Sequence, residues 1–193
     1  MNGFDYSSNN IYFVTICVQN RECCLGYVGT GRDLSVQDSN GNDSNGNDSN
    51  ENDSNENDIN KNKNSEEVFS EVKMNLSVYG KIVEEQIIWL QEQYLYVAIH
   101  NYIIMPNHLH LILEIDSLVV KDNSVKIKSL SSLIGAFKTT SSKNIHKNGF
   151  ENFAWQRSFH DHIIRNTNAY DNIYTYIDLN PQKWHQDCFF ERN

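Results

Sequence analysis

The chain has 193 residues, 39% hydrophobic and 21% charged, with a formal net charge of −9. That length suits one domain with its own core, and no apolar run approaches the roughly 20 residues that span a bilayer. The N-terminus, MNGFDYSSNN, is polar and unlike a secretion signal, so a cytoplasmic protein without a membrane partner is expected.

In chain order, IYFVTICVQN (11–20) is β-branched and aromatic, the composition of a buried strand. YVGTGRDLSV (27–36) and VFSEVKMNLS (68–77) read as the arms of a hairpin. Between them, residues 38–58 repeat DSNGN, DSNGN, DSNEN, DSNEN, with no aromatic or aliphatic side chain. Such a tract cannot bury enough apolar surface to offset its ordering entropy. Residues 37–67 are therefore read as a disordered insertion in a surface loop of a single domain, 1–193. Nine acidic and two basic side chains in 38–67 give a net of −7, which leaves −2 for the rest of the chain. The acidity thus says little about partners of the folded part.

YGKIVEEQIIWLQEQY (79–94) sets Val83, Ile87, Leu90 and Tyr94 at helical spacing. VAIHNYIIMPNHLHLILEI (97–115) reads as two strands turning at Pro106-Asn107. Successive strand side chains alternate faces, so His108 and His110 project to one side about 7 Å apart. SLSSLIGAFKTTSSKNIH (129–146) is a second helix with Leu130, Leu133, Ile134 and Phe137 as its stripe. RSFHDHII (157–164) is a short strand. NAYDNIYTYIDLN (168–180) is a last helix stopped by Pro181, which disfavours helical geometry in the residue before it. The order β-α-β-β-α-β plus a trailing helix predicts an α+β, ferredoxin-like split βαβ fold with an antiparallel sheet.

Several residues carry chemistry. Neutral imidazoles ligate divalent metals, so His108 and His110 form a candidate half-site, and His160 and His162 compete with the same spacing. On the last helix Tyr170, Ile173, Tyr174 and Ile177 form an apolar stripe, which reads Tyr170 and Tyr174 as core aromatics. Tyr176 lies about 200° from Tyr174 around the helix and falls in a polar row with Asn172 and Asn180. Either it is an exposed tyrosine or a nucleophile beside a metal. Between Lys126 and Arg165, seven basic residues face only Glu151 and Asp161. Lys138, Lys143, Arg157 and Arg165 are the candidate nucleic-acid contacts, and Phe150, Phe153 and Trp155 are either base-stacking or core. Cys17, Cys23, Cys24 and Cys188 show no CxxC or zinc-finger spacing, so reduced thiols are expected.

YIIMPNHLHLILEI, SLSSLIGAFKTTSSKNI, WQRSFHDHIIRN and YIDLNPQKW together resemble the REP-associated tyrosine transposases of the HUH superfamily of single-strand DNA endonucleases. The resemblance runs from Tyr12 to the C-terminus, interrupted by the repeat. His160 stands where relatives often have tyrosine, and the repeat is not a family feature. The resemblance implies that His108 and His110 are metal ligands, that Asn180 is the third, and that Tyr176 is the single nucleophile. It implies Mg²⁺ or Mn²⁺ as cofactor and a 5′-phosphotyrosine intermediate. The implied partners are single-stranded DNA with hairpin elements and, as in related insertion-sequence transposases, a second copy in a homodimer, although REP-associated members can act as monomers. Two alternatives stay open: a domesticated HUH protein that binds hairpins without moving them, and an unrelated metal nuclease built on His160 and His162.

Overall fold

The computed structural model describes residues 10–30, 72–122 and 124–190. The repeat insertion expected at 37–67 lies outside them. The described elements are β1 (Asn10–Cys17), β2 (Gly26–Thr30), β3 (Val72–Leu76), α1 (Val78–Gln93), β4 (Val97–Ile104), β5 (His108–Ile115), α2 (Leu130–Lys147), β6 (His160–Ile164) and α3 (Thr167–Asp178). A four-stranded antiparallel sheet has the order β4-β5-β1-β6. With β2 and β3 set aside, its strands run 2-3-1-4 in chain order, the ferredoxin-like arrangement expected from the sequence. β2 and β3 pair antiparallel as a separate ribbon, Gly26 opposite Leu76 and Thr30 opposite Val72, so the expected hairpin has its base in the described residues.

Local chemistry starts each helix. The Ser77 hydroxyl accepts from Tyr79 N and Gly80 N at 3.1 Å, Ser129 caps α2 through Ser132 N, and Asn166 caps α3 through Ala169 N at 2.8 Å. A cap of this type stabilises a helix by about 1 kcal/mol. Gly80 lets α1 lie close to the loop before β2, because a Cβ there would collide with the Leu25 carbonyl. Pro181 opens the short 3-10 segment Pro181–Gln186, and α3 ends ahead of it with Leu179 as its C-cap.

The sheet has two unlike faces. On one, Tyr12, Val14 and Ile16 of β1 and Leu109, Leu111, Leu113 and Ile115 of β5 pack with Val83, Ile87 and Leu90 of α1 and with Leu130, Leu133, Ile134 and Phe137 of α2. Each fully buried large side chain contributes roughly 1.5–3 kcal/mol by leaving water. Phe153 and Trp155 also belong to this core, and the Trp155 indole N–H donates to Ser141 Oγ at 2.9 Å. They are therefore packing residues, and Phe150 is half-buried against Tyr79 and Phe153.

The other face carries Phe13, Thr15, His110 and Ile112, and α3 lies over it across β4 and β5. Here one expectation is corrected. Of the stripe Tyr170-Ile173-Tyr174-Ile177 only Ile177 is fully buried, and Tyr174 is 38% exposed. Helical phase says which side of α3 meets the sheet, but twelve residues crossing two strands press in only one line of side chains. Tyr170 is half-buried because its hydroxyl meets His100 Nδ1 at 3.0 Å. Among the described residues no helix is long and apolar enough to cross a membrane, and no disulfide joins Cys17, Cys23, Cys24 or Cys188.

Candidate active site

His108 and His110 open β5 directly after the Pro106-Asn107 turn, which Met105 N closes by donating to His108 O at 2.8 Å. Alternation along the strand sends both imidazoles under α3, where they are 0% and 2% exposed. Their Nε2 atoms stand 3.1 Å apart. Each outer nitrogen has a partner: His108 Nδ1 is 2.9 Å from Asn107 Oδ1, and His110 Nδ1 is 2.8 Å from the hydroxyl of Thr15, its register neighbour on β1. Burial lowers the His108 pKa to about 2, helped by His110 and the Arg21 charge, and lowers that of His110 to about 3. Both rings are thus neutral, the form that ligates metals.

Tyr176 reaches this pair from α3. It is 40% exposed, and its hydroxyl lies 3.2 Å from His110 Nε2. The ring meets His110 and Phe13 edge-on at 5.3 and 6.1 Å. Burial raises its pKa above the ordinary phenol value, the Asp187 charge pushes the same way, and a hydrogen bond from Asn180 opposes both. Asn180 is 2% exposed, and its Oδ1 is buried with no hydrogen-bond partner. A buried unpaired amide oxygen costs about 1–3 kcal/mol. The Asn180 amide reaches the Tyr176 hydroxyl, which itself lies 3.2 Å from His110 Nε2, so the bare oxygen is an acceptor that a cation held by the histidines would use. The His108–His110 separation fits as well, since two nitrogens at about 2.1 Å from one ion are about 3.0–3.4 Å apart at octahedral or tetrahedral angles.

The structure brings together His108, His110, Tyr176 and Asn180, and adds residues that sequence reasoning missed. Asp187 offers a carboxylate oxygen that lies with the two imidazole nitrogens in a group spanning no more than 4.8 Å. It follows Pro181–Gln186, where no periodicity points inward, and its Oδ1 accepts from Phe189 N at 2.7 Å. Trp184 and Phe189 cover His108 with ring centroids at 5.9 and 4.6 Å. Arg21 donates from its guanidinium to Cys188 O at 2.9 Å and sits 5.1 Å over the Phe189 ring. Asn107 is 0% exposed, and its Nδ2 donates to Arg21 O at 3.0 Å and Phe189 O at 2.8 Å. Its place directly before the two histidines is the one sequence signal that could have marked it.

The competing pair is placed differently. His160 and His162 lie on edge strand β6 opposite Thr15 and Phe13, and both are exposed. Among the described residues they belong to no group of three metal-ligating side chains. Lys138, expected to contact phosphate, instead donates all three ammonium hydrogens to the carbonyls of Gln156, Arg157 and Ser158 at 2.8, 3.3 and 2.9 Å. The loop entering β6 turns three carbonyl oxygens towards α2, and the lysine satisfies them. Lys143, Arg157 and Arg165 are exposed. Arg165 borders a depression of about 450 Å³ lined also by His100, Asn166, Thr167 and Tyr170.

No protein-family profile matches the chain. An uncharacterised protein of Haemophilus influenzae is 28% identical over 201 residues, covering 97% of this chain and 88% of its own. A Deinococcus radiodurans structure superposes loosely, at 11% identity and a TM-score of 0.39 over 92% of this chain and 94% of that one. The structure of a REP-associated tyrosine transposase bound to a REP hairpin superposes at a TM-score of 0.50 with 19% identity, over 91% of this chain and 68% of that one. The chain therefore has the fold of the REP-associated tyrosine transposase, with an antiparallel sheet and a helix that carries Tyr176 over the histidine pair.

Proposed function

We propose that this protein is a REP-associated HUH transposase, a metal-dependent endonuclease that cuts and rejoins single-stranded DNA at hairpin-containing repeats. One observation carries the reading: the half-exposed Tyr176 hydroxyl stands 3.2 Å from Nε2 of a buried, neutral histidine pair. His108, His110 and Asn180 are the residues that would hold Mg²⁺ or Mn²⁺, with Asp187 in reach of the same position. When bound, the cation polarises the scissile phosphate and offsets its developing charge.

The rest belongs to the chain. Tyr176 Oη attacks phosphorus and gives up its proton to water. The bond to the 3′ oxygen breaks, that oxygen takes up a proton and leaves as the 3′-hydroxyl, and the 5′ end stays on the tyrosine, conserving a diester for rejoining. The raised pKa of Tyr176 keeps the phenol protonated in the free protein. The Asn180 amide, hydrogen-bonded to that hydroxyl, favours the phenolate as it forms. One nucleophile holds one strand at a time. The exposed cations Lys143, Arg157 and Arg165 are the proposed phosphate contacts, and single-stranded DNA is required because a phenol on a helix needs an unobstructed backbone.

The test is Mn²⁺-dependent nicking of a single-stranded oligonucleotide carrying a hairpin, with wild type and Tyr176→Phe. Nicking by wild type alone supports the reading. Equal nicking by both, or none with any hairpin substrate and either ion, refutes it.

A further inference from the structure

Resting on the metal reading above, we infer that Asn107 and Thr15 are positioning residues that control which nitrogen of each histidine carries the proton, one as a fixed lock and the other as a permissive switch.

Hydrogen-bond inventory fixes the lock. Arg21 O and Phe189 O can only accept, so the Asn107 Nδ2 that meets both is the donor end and the Oδ1 facing His108 is the acceptor end. An amide oxygen accepts only, so His108 must donate from Nδ1. Its Nε2 is therefore a bare lone pair aimed at His110 Nε2, 3.1 Å away. The opposite tautomer would set two lone pairs against each other 2.9 Å apart at Asn107.

His110 meets a different neighbour. A threonine hydroxyl both donates and accepts, so the 2.8 Å contact to Nδ1 suits either tautomer. Without a cation, His110 carries its proton on Nε2 and donates to His108 Nε2, with Tyr176 Oη as a second acceptor at 3.2 Å, while Thr15 donates to Nδ1. To ligate, His110 must free Nε2. A proton leaves Nε2 for water, one is taken from water at Nδ1, and the Thr15 hydroxyl rotates to accept it. The ring is neutral before and after the exchange. Both Nε2 lone pairs are then free to ligate, 3.1 Å apart. Asn107 also joins three segments, the loop after β1, the β4–β5 turn and the tail, so the lock is held where they meet. Partners of ligating histidines set tautomer and affinity in this way, with losses of about 10–100-fold on removal.

The experiment uses the full chain. Nitrogen-15 NMR of the histidine rings in wild type without metal should show the proton on Nδ1 of His108 and on Nε2 of His110. With Zn²⁺ as a diamagnetic probe, the His110 proton should appear on Nδ1 while His108 is unchanged. A His108 proton on Nε2, or a His110 tautomer that Zn²⁺ leaves unmoved on Nε2, overturns the inference without any variant. Calorimetric Mn²⁺ affinity should fall about 10–100-fold in Asn107→Ala and about 10-fold in Thr15→Val. Folded variants that bind Mn²⁺ like wild type also overturn it. His110→Gln separates the two readings: if it too binds like wild type, the metal site itself is wrong. If it loses Mn²⁺ while Asn107→Ala does not, only the tautomer control fails.

Discussion

His110→Ala is the obvious variant for testing a metal ligand, and the structure predicts that it will mislead. The ring is 2% exposed and stacks on Phe13 at 5.3 Å with 28° between planes. Its Nδ1 partners Thr15 and its Nε2 meets His108 and Tyr176. Truncation leaves a cavity on the sheet and removes the partner of a Thr15 hydroxyl that is itself buried. Cavity and orphaned hydroxyl together cost roughly 2–4 kcal/mol. For a chain of this size each kcal/mol moves Tm by about 2–4 °C, which gives a fall of about 5–15 °C. Thermal and urea unfolding in EDTA measure this directly, with His110→Gln as the partner variant because an amide refills most of the space. The Gln variant should keep more than half of the lost stability and still lose Mn²⁺ binding. An Ala variant that melts within 2 °C of wild type, on the same size scaling, would mean that the ring is not packed as described, and the burial argument for its neutrality would go with it.

Other outcomes follow from the same geometry. Covalent trapping on a suicide oligonucleotide should map to Tyr176 by peptide analysis, and Tyr174→Phe should trap normally although Tyr174 is equally exposed; an adduct on Tyr170 or Tyr174 refutes the assigned nucleophile. Asn180→Ala should bind DNA yet cleave slowly, with partial rescue by excess Mn²⁺; no rescue at any concentration argues against a ligand role. Because both histidines have lowered pKa values in the folded state, the unfolded chain takes up protons first as pH falls through about 6.5, so metal-free stability should decline from there towards pH 3. Tm between pH 6.5 and 5 should slope less in His110→Gln than in wild type, and equal slopes would contradict the burial effect. Lys138→Met should cost roughly 1 kcal/mol by removing the donor to three carbonyls and leave the salt dependence of DNA binding alone, whereas Arg157→Gln should lower that slope by about 1.

Much of this was legible in the sequence because periodicity reports faces. The leucines of β5 and the stripe of α2 alternate as the core requires, and the same alternation puts His108 and His110 on one side. What was not legible depends on contacts far along the chain. Lys138 reads as one more cation in a basic stretch, since nothing local announces three carbonyls that converge on it from residues 156–158. Asp187 follows a proline-opened turn with no repeat to say which way it points. Tyr174 sits at the right helical phase, but phase carries no information on how deeply a helix docks.

That shallow docking has a consequence for motion. Seven of the eight β5 residues are buried, whereas α3 fully buries Ile177 alone and is otherwise tethered through polar contacts such as Asn101 to Asp178 at 2.8 Å and Tyr170 to His100. Opening free energies track buried apolar contact. Amide exchange in α3 should therefore run ahead of that in β1 and β5. The histidines belong to the last part of the molecule to open and the tyrosine to one of the first, so the nucleophile is carried on a softer mount than the platform it serves.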